Sequence, residues 1–179
     1  MIMEKAVESL KRHLFSEEDA NVFAVLDGAS VADLLPNLER YQPDYHCLYR
    51  GDLAPDVAAA APYLIHLPTD SEFTSWVLEQ GWGKHWGIFA VSRSDTRAMR
   101  RHFRTFLVVH DSDGRPLYFR YYDPRVLRLY LPTCRAQQTG IVFGSVLYYL
   151  LEDEDPQIAL RYRLANGQLQ KESLPILES

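Results

Sequence analysis

The chain has 179 residues, of which 47% are hydrophobic and 24% charged, values that are ordinary for a globular protein with one sizeable core. Its 19 basic and 24 acidic residues give a formal charge of −5, which argues against binding to a nucleic-acid backbone or to an anionic membrane surface. No segment has the unbroken apolar length of a transmembrane helix, so membrane insertion is not expected.

The N-terminal half predicts a helix followed by strands and helices in alternation. Val7, Leu10 and Leu14 recur at helical spacing, which predicts an amphipathic helix over about residues 3–15. The apolar run 21–26, which ends at Asp27-Gly28, is typical of a buried strand. Further strands are predicted at 46–49, 63–67 and 86–92, with helices between them and after them.

This alternation continues through the first 105 residues and predicts a largely parallel sheet with helices packed on its faces. The second half has a different pattern. Segments 106–111 and 117–122 flank an Asp-Gly turn, and segments 146–151 and 158–163 flank an acidic turn, as in antiparallel hairpins. The predicted fold class is therefore mixed α/β, with a largely parallel sheet in the N-terminal half and antiparallel hairpins in the C-terminal half.

No cofactor site or metal site is predicted. The glycine-rich segment 81–87 leads from a helix into a strand, whereas phosphate-binding loops lead from a strand into a helix. The strand-to-helix turn at Asp27-Gly28 lacks the second glycine of a dinucleotide site. The six histidines are scattered, without an HExxH motif or a Cys/His cluster.

No catalytic residue is assigned, although an enzymatic alternative stays open. A pair of Cys47 with a histidine, or a serine-based triad, could be assembled only by folding, and Gly-x-Ser-x-Gly is absent. A small hydrolase with such a triad is therefore the main catalytic alternative. A cysteine in a short buried strand is more often a core residue.

Four arginines form a stripe on the helix that follows Ser94. They lie opposite the apolar face of that helix, which carries Met99, Phe103 and Phe106. A solvated surface is the ordinary interpretation, and a docking strip for an acidic partner is the functional one. The stripe consists of Arg97, Arg100, Arg101 and Arg104.

Two aromatic segments have both a structural and a functional interpretation. Trp82 and Trp86 alternate with glycines that allow close packing. Tyr122 and Arg125 flank Asp123-Pro124, which has the pattern of a helix cap followed by proline at the first helical position. Since aromatic residues and arginine dominate protein interfaces, all four side chains are also candidates for protein binding.

Several short segments occur in the same order as in a known family. They are Ala24-Val25-Leu26-Asp27-Gly28-Ala29, Cys47-Leu48-Tyr49, Ala61-Pro62-Tyr63-Leu64, Gly81-Trp82-Gly83, Trp86-Gly87-Ile88-Phe89, Phe119-Arg120-Tyr121-Tyr122-Asp123-Pro124-Arg125-Val126-Leu127, Leu131-Pro132-Thr133-Cys134 and Phe143-Gly144. With these segments the chain resembles the type VI secretion effector chaperones, or adaptors, long catalogued as a domain of unknown function.

The resemblance covers about residues 22–172, which are expected to form a single α/β effector-chaperone domain. Residues 1–21 are expected to be an N-terminal helix and lead-in, and residues 173–179 a C-terminal tail. Proteins of this kind are not known as enzymes. The resemblance implies a partner that is a cognate secreted toxin effector, and possible delivery of that effector to the secretion spike protein.

The same resemblance implies a location in the cytoplasm of the Gram-negative cell that produces the effector. Cys47 and Cys134 are the only cysteines, and no apolar signal region follows the N-terminus, which also favours a reducing cytoplasm. An immunity protein that neutralises a toxin is a further alternative. Client identity, stoichiometry and the contact surface are not encoded in any motif.

Overall fold

The computed structural model describes residues 2–177. The helices are α1 (Ile2–Leu14), α2 (Leu34–Tyr41), α3 (Pro55–Ala60), α4 (Glu72–Gly81), α5 (Thr96–Thr105), α6 (Pro124–Tyr130) and α7 (Ala136–Phe143), with a 3-10 turn at Leu131–Thr133 after α6. The strands are β1 (Asn21–Asp27), β2 (Tyr45–Cys47), β3 (Pro62–His66), β4 (Gly87–Ser92), β5 (Val108–His110), β6 (Pro116–Tyr118), β7 (Val146–Glu152), β8 (Ile158–Ala165) and β9 (Gln168–Pro175).

Seven strands form one sheet in the order β2-β3-β1-β4-β7-β8-β9, and every pair of neighbours is antiparallel. The mixed α/β class is confirmed, but the prediction of a largely parallel sheet in the N-terminal half is wrong. The antiparallel pairing of β7, β8 and β9 agrees with the hairpin patterns in the sequence.

The error has a topological cause. Strands β1 and β2 point in the same direction on either side of β3, and strands β3 and β4 point in the same direction on either side of β1. The units β1-α2-β2 and β3-α4-β4 are therefore crossovers that each skip one position in the sheet, whereas β2-α3-β3 joins two antiparallel neighbours. The skipped position is filled by a strand of the opposite direction, so the alternation in sequence produces no parallel neighbours.

Helices cover both faces of the sheet. Helices α1, α2 and α4 pack with one set of strand side chains, such as Ala24, and helices α5, α6 and α7 pack with the other set, such as Phe23 and Val25. Because both faces are covered, the central strands β1 and β4 are buried over almost their whole length and apolar between their ends. Continuous apolar runs of this kind are most common in parallel sheets, but here they occur in an antiparallel sheet whose two faces are both covered.

Strands β5 and β6 form a separate hairpin outside the main sheet. It is shorter than the predicted segments, since it contains the three pairs Val108↔Tyr118, Val109↔Leu117 and His110↔Pro116. At the other end of the chain, β9 extends to Pro175, past the predicted domain boundary at residue 172. Residues 178–179 of the predicted tail lie outside the described residues.

Candidate protein-binding groove

An open groove lies between the end of β2 and the β5–β6 hairpin. Its volume is about 410 Å³. Tyr49, Arg50 and Arg104 contribute polar groups to it. The apolar side chains that line it are Leu48, Leu53, Val57, Leu107, Val108 and Tyr118. We call this surface the arginine-rimmed groove.

Bulky apolar side chains are exposed in this groove. Val57 is 42% exposed, Val108 is 41% exposed and Tyr118 is 69% exposed. Single exposed apolar residues are common on protein surfaces, whereas a cluster of them makes a surface a candidate for binding another molecule. The groove therefore has the character of a binding surface.

The hairpin presents this apolar surface because its strands are too few to bury it. Val108 and Tyr118 are cross-strand partners and lie on the face toward the groove, while Val109 and Leu117 lie on the opposite face.

A tight turn holds the two strands of the hairpin together. The carboxylate of Asp111 accepts the backbone N–H of Asp113 at 2.9 Å and the backbone N–H of Arg115 at 2.8 Å. The result is a small ribbon with apolar side chains exposed on both faces.

Arg104 holds the wall of the groove in place. Its Nε donates to the carbonyl oxygen of Leu48 at 3.0 Å, and its Nη2 donates to the carbonyl oxygens of Cys47 and Tyr49 at 2.9 and 3.2 Å. These bonds tie the end of β2 to α5. Burial, followed by the positive charges of neighbouring arginines at positions 100 and 50, lowers the pKa of Arg104.

The other members of the predicted arginine stripe lie in two different settings. Arg100 is partly buried, and its Nη1 lies 3.3 Å from Nδ1 of His46. Arg97 and Arg101 are exposed on α5. The stripe is thus divided: Arg100 and Arg104 contact β2 and its end, and only Arg104 lines the groove.

Tyr122 lies beneath the groove and is buried. Tyr49 lies close enough to act on the pKa of Tyr122, and the Tyr49 ring in turn packs against Tyr118 with the centroids 5.3 Å apart. Burial raises the pKa of Tyr122 well above its ordinary value, and the proximity of Tyr49 adds to the rise. Tyr122 therefore supports a groove residue and presents no surface of its own.

Arg125 lies at the start of α6 and is about half exposed. Its Nε and Nη2 donate to the two carboxylate oxygens of Asp123 at 3.0 and 2.8 Å. Asp123 also caps α6 by accepting the backbone N–H of Arg125 at 2.9 Å. Burial would raise the pKa of Asp123, but the hydrogen bonds from Arg125 outweigh this effect and lower it.

Trp82 and Trp86 lie on the opposite side of the sheet from the groove, in the core that contains α1 and α4. Nε1 of Trp82 donates to the carbonyl oxygen of Pro156 at 2.8 Å. The ring of Trp86 packs against Trp76 with the centroids 5.0 Å apart. A Cβ atom at Gly81 would lie 2.5 Å from the Trp86 ring, so the glycine permits this packing.

The structure thus brings together only part of the predicted set. Arg104 lines the groove, Arg100 lies beside it and Tyr122 supports it from below, while Trp82, Trp86 and Arg125 lie elsewhere. Arg104 is the one lining residue that the sequence analysis predicted as a binding residue. Those that it missed are Leu48, Tyr49, Arg50, Leu53, Val57, Leu107, Val108 and Tyr118. One signal was present: the predicted two-stranded hairpin carries apolar residues at adjacent positions, and a ribbon of two strands cannot bury both of its faces.

Within residues 2–177, no group of three or more His, Cys, Asp or Glu side chains is placed to hold a metal ion. Both cysteines are free and partly buried, and burial raises the pKa of Cys134. In the same part of the chain, no helix is both long enough and apolar enough to cross a membrane.

Fold and groove together define a three-layer α/β protein with an exposed apolar groove rimmed by arginine. The chain belongs to the family described as a domain of unknown function (DUF4123), because the family model matches residues 22–140, which are more than half of the chain. The match includes all residues of the groove and ends before β7. Comparison with the curated proteins and with the solved structures gave no significant match.

Proposed function

We propose that the protein is a non-catalytic adaptor, or chaperone, that binds a cognate effector of a type VI secretion system. In this role it helps to load the effector onto the secretion spike protein and stays in the cytoplasm of the producing Gram-negative cell. The observation that carries the proposal is the arginine-rimmed groove, where exposed apolar side chains and positive charge occur together. An apolar centre with a charged rim is the usual composition of a protein-binding surface.

The segments that carry the family resemblance contribute part of the groove. Cys47-Leu48-Tyr49 forms one wall of it, and the segment that begins at Phe119 provides Tyr122 below that wall. Tyrosine and arginine are enriched among the residues that contribute most to protein binding, and both occur here. One wall of the groove and the tyrosine below it therefore lie in segments that carry the resemblance.

Co-purification tests this proposal. The tagged protein is expressed in its own cells together with the effector and spike proteins encoded beside it, and an unrelated secreted effector serves as the control. We expect the cognate effector to co-purify and the unrelated effector not to. A monodisperse protein that captures neither the effector nor the spike protein would contradict the proposal.

A second measurement separates an adaptor from an immunity protein. The effector is directed to the compartment where it is toxic, with and without the protein. An adaptor is expected to increase the amount of soluble or secreted effector, whereas abolished toxicity in that compartment, with no effect on secretion, would contradict the adaptor role.

A further inference from the structure

We propose that the arginine-rimmed groove binds a segment of the effector in which apolar side chains are flanked by carboxylates. This inference rests on the proposed function and adds to it the place of binding and the chemistry of the bound segment. Three observations support it: the exposed apolar lining of the groove, the arginines beside that lining and the net charge of the chain.

The apolar part of the groove requires a partner with apolar side chains. Val57 on α3 and Val108 and Tyr118 on the hairpin leave much of their surface in water, although buried side chains such as Leu48 and Leu107 lie directly beside them. Burial of this surface by a partner is favourable because it removes apolar area from water. The volume of about 410 Å³ admits a few side chains of a bound segment.

The charge around the groove requires a partner with carboxylates. Arg50 and Arg100 lie close enough to Arg104 for their charges to act on it. Within residues 2–177, no carboxylate forms an ion pair with any of the three. Three positive charges without a negative partner repel one another, and a bound carboxylate would relieve this repulsion through charge-assisted hydrogen bonds.

An acidic peptide fits this surface better than a nucleic acid does. The chain as a whole carries a formal charge of −5, so it repels a long phosphate backbone and attracts a negative group only at a local cluster such as this one. A phosphate backbone also offers no apolar side chain to cover Val57 and Val108. A peptide with alternating apolar and acidic residues satisfies both parts of the groove.

Binding of synthetic peptides tests the chemistry directly. The probes are fluorescently labelled peptides of about ten residues, a span of about 33 Å when extended, in which leucine alternates with glutamate, glutamine or lysine. We expect the glutamate peptide to bind most tightly and to lose affinity when the salt concentration rises from about 0.05 to about 0.5 M. Equal binding of the glutamate and lysine peptides would overturn the inference.

Matched variants test the location. Arg50→Glu reverses a charge in the groove, and Arg97→Glu makes the same change at an exposed position of α5 outside it. Val57→Asp places a charge on the apolar wall, and Leu129→Asp does so at a residue on α6 that is 70% exposed. We expect the two groove variants to weaken binding of the glutamate peptide by roughly tenfold or more and the two controls to leave it unchanged.

The same four variants are then tested for co-purification with the cognate effector. Loss of the effector from Arg50→Glu and Val57→Asp, but not from the controls, supports the inference. If the wild-type protein and all four variants retain the effector equally, the groove is not the docking site, although the adaptor function stands. If the wild-type protein itself captures no effector, the result contradicts the proposed adaptor function and not only the position of the docking site.

A second copy of the chain is the competing occupant of the groove. Light scattering of the wild-type protein and of Val57→Asp distinguishes this case. A dimer that Val57→Asp dissociates and that the glutamate peptide does not would assign the groove to self-association and overturn the inference.

Discussion

The buried carboxylate of Asp27, at the end of β1, accepts a hydrogen bond from the guanidinium of Arg120, which lies 93 positions later in the chain. The same carboxylate accepts the backbone N–H of Ala29 at 3.1 Å and the hydroxyl of Ser30 at 2.7 Å. It therefore closes the turn after β1 and ties that turn to the segment containing Tyr122, which supports the groove.

Replacement of Asp27 by asparagine tests this connection. Asp27→Asn removes the charge that pairs with Arg120 and leaves the surrounding donors with a weaker acceptor in a buried place. We expect the free energy of unfolding to fall by about 3 kcal/mol. Urea denaturation measures the change, and Asp113→Asn, at an exposed pair in the hairpin turn, is the control with no expected effect.

Arg104 is expected to stabilise the fold through the carbonyl groups at the end of β2. Lysine keeps the charge but cannot bond to the three carbonyl oxygens in the same geometry. We expect Arg104→Lys to lower the free energy of unfolding by about 1–2 kcal/mol, whereas Arg101→Lys, at an exposed position of the same helix, should change it little. Equal stability of the two variants in urea denaturation would show that the carbonyl bonds contribute nothing measurable.

His102 is expected to make the protein less stable in mild acid. Nε2 of His102 lies 2.9 Å from the carbonyl oxygen of Val142, and burial lowers the pKa of His102 below its ordinary value of 6.5 although this bond opposes the shift. As the pH falls below 6.5, the unfolded chain takes up a proton at this position before the folded chain does, so stability is lost.

Urea denaturation at about pH 7.5 and about pH 5.5 measures this dependence on pH. We expect His102→Gln to lose less stability over this range than the wild-type protein does. His110→Gln, at an exposed position of β5, is the control and should behave as the wild type. If the free energy of unfolding of His102→Gln falls with pH as much as that of the wild type, His102 is not the cause of the fall.

Buried tyrosines are expected to make the protein sensitive to alkali. Burial raises the pKa of Tyr149 well above 10.0, and burial together with the neighbouring Cys47 raises the pKa of Tyr63 to about 12. As the pH rises above 10, tyrosines of the unfolded chain ionise first, so the free energy of unfolding decreases.

The contribution of one tyrosine can be measured by comparing the free energy of unfolding below and above pH 10. Tyr149→Phe removes an ionisable hydroxyl that donates to the carbonyl oxygen of Val142 at 2.6 Å, so it should be less stable at neutral pH but lose less stability in alkali. Tyr45→Phe, at an exposed position of β2, is the control. An identical decrease in alkali for Tyr149→Phe and the wild type would contradict the prediction.

Structural features that depend on residues close together in the sequence could be predicted for this protein. The spacing of Val7, Leu10 and Leu14 predicted α1, and the apolar run after it predicted β1. The pattern Asp123-Pro124 predicted the start of α6, where the aspartate accepts a backbone N–H and the proline occupies the first turn. On α5, Arg97 and Arg101 are exposed, whereas the contacts of Arg100 and Arg104 with β2 and its end could not be predicted.

The amino-acid sequence by itself determined which segments are helices and strands and which strands are buried on both faces, because spacing and burial follow from side chains within a few positions of each other. Tertiary structure alone decided the direction of the strands and the position of the groove. A strand buried on both faces carries no pattern that records the direction of its neighbours. The groove joins Tyr49, Arg104 and Tyr118, which come from separate parts of the chain and meet only when the hairpin packs beside the end of β2.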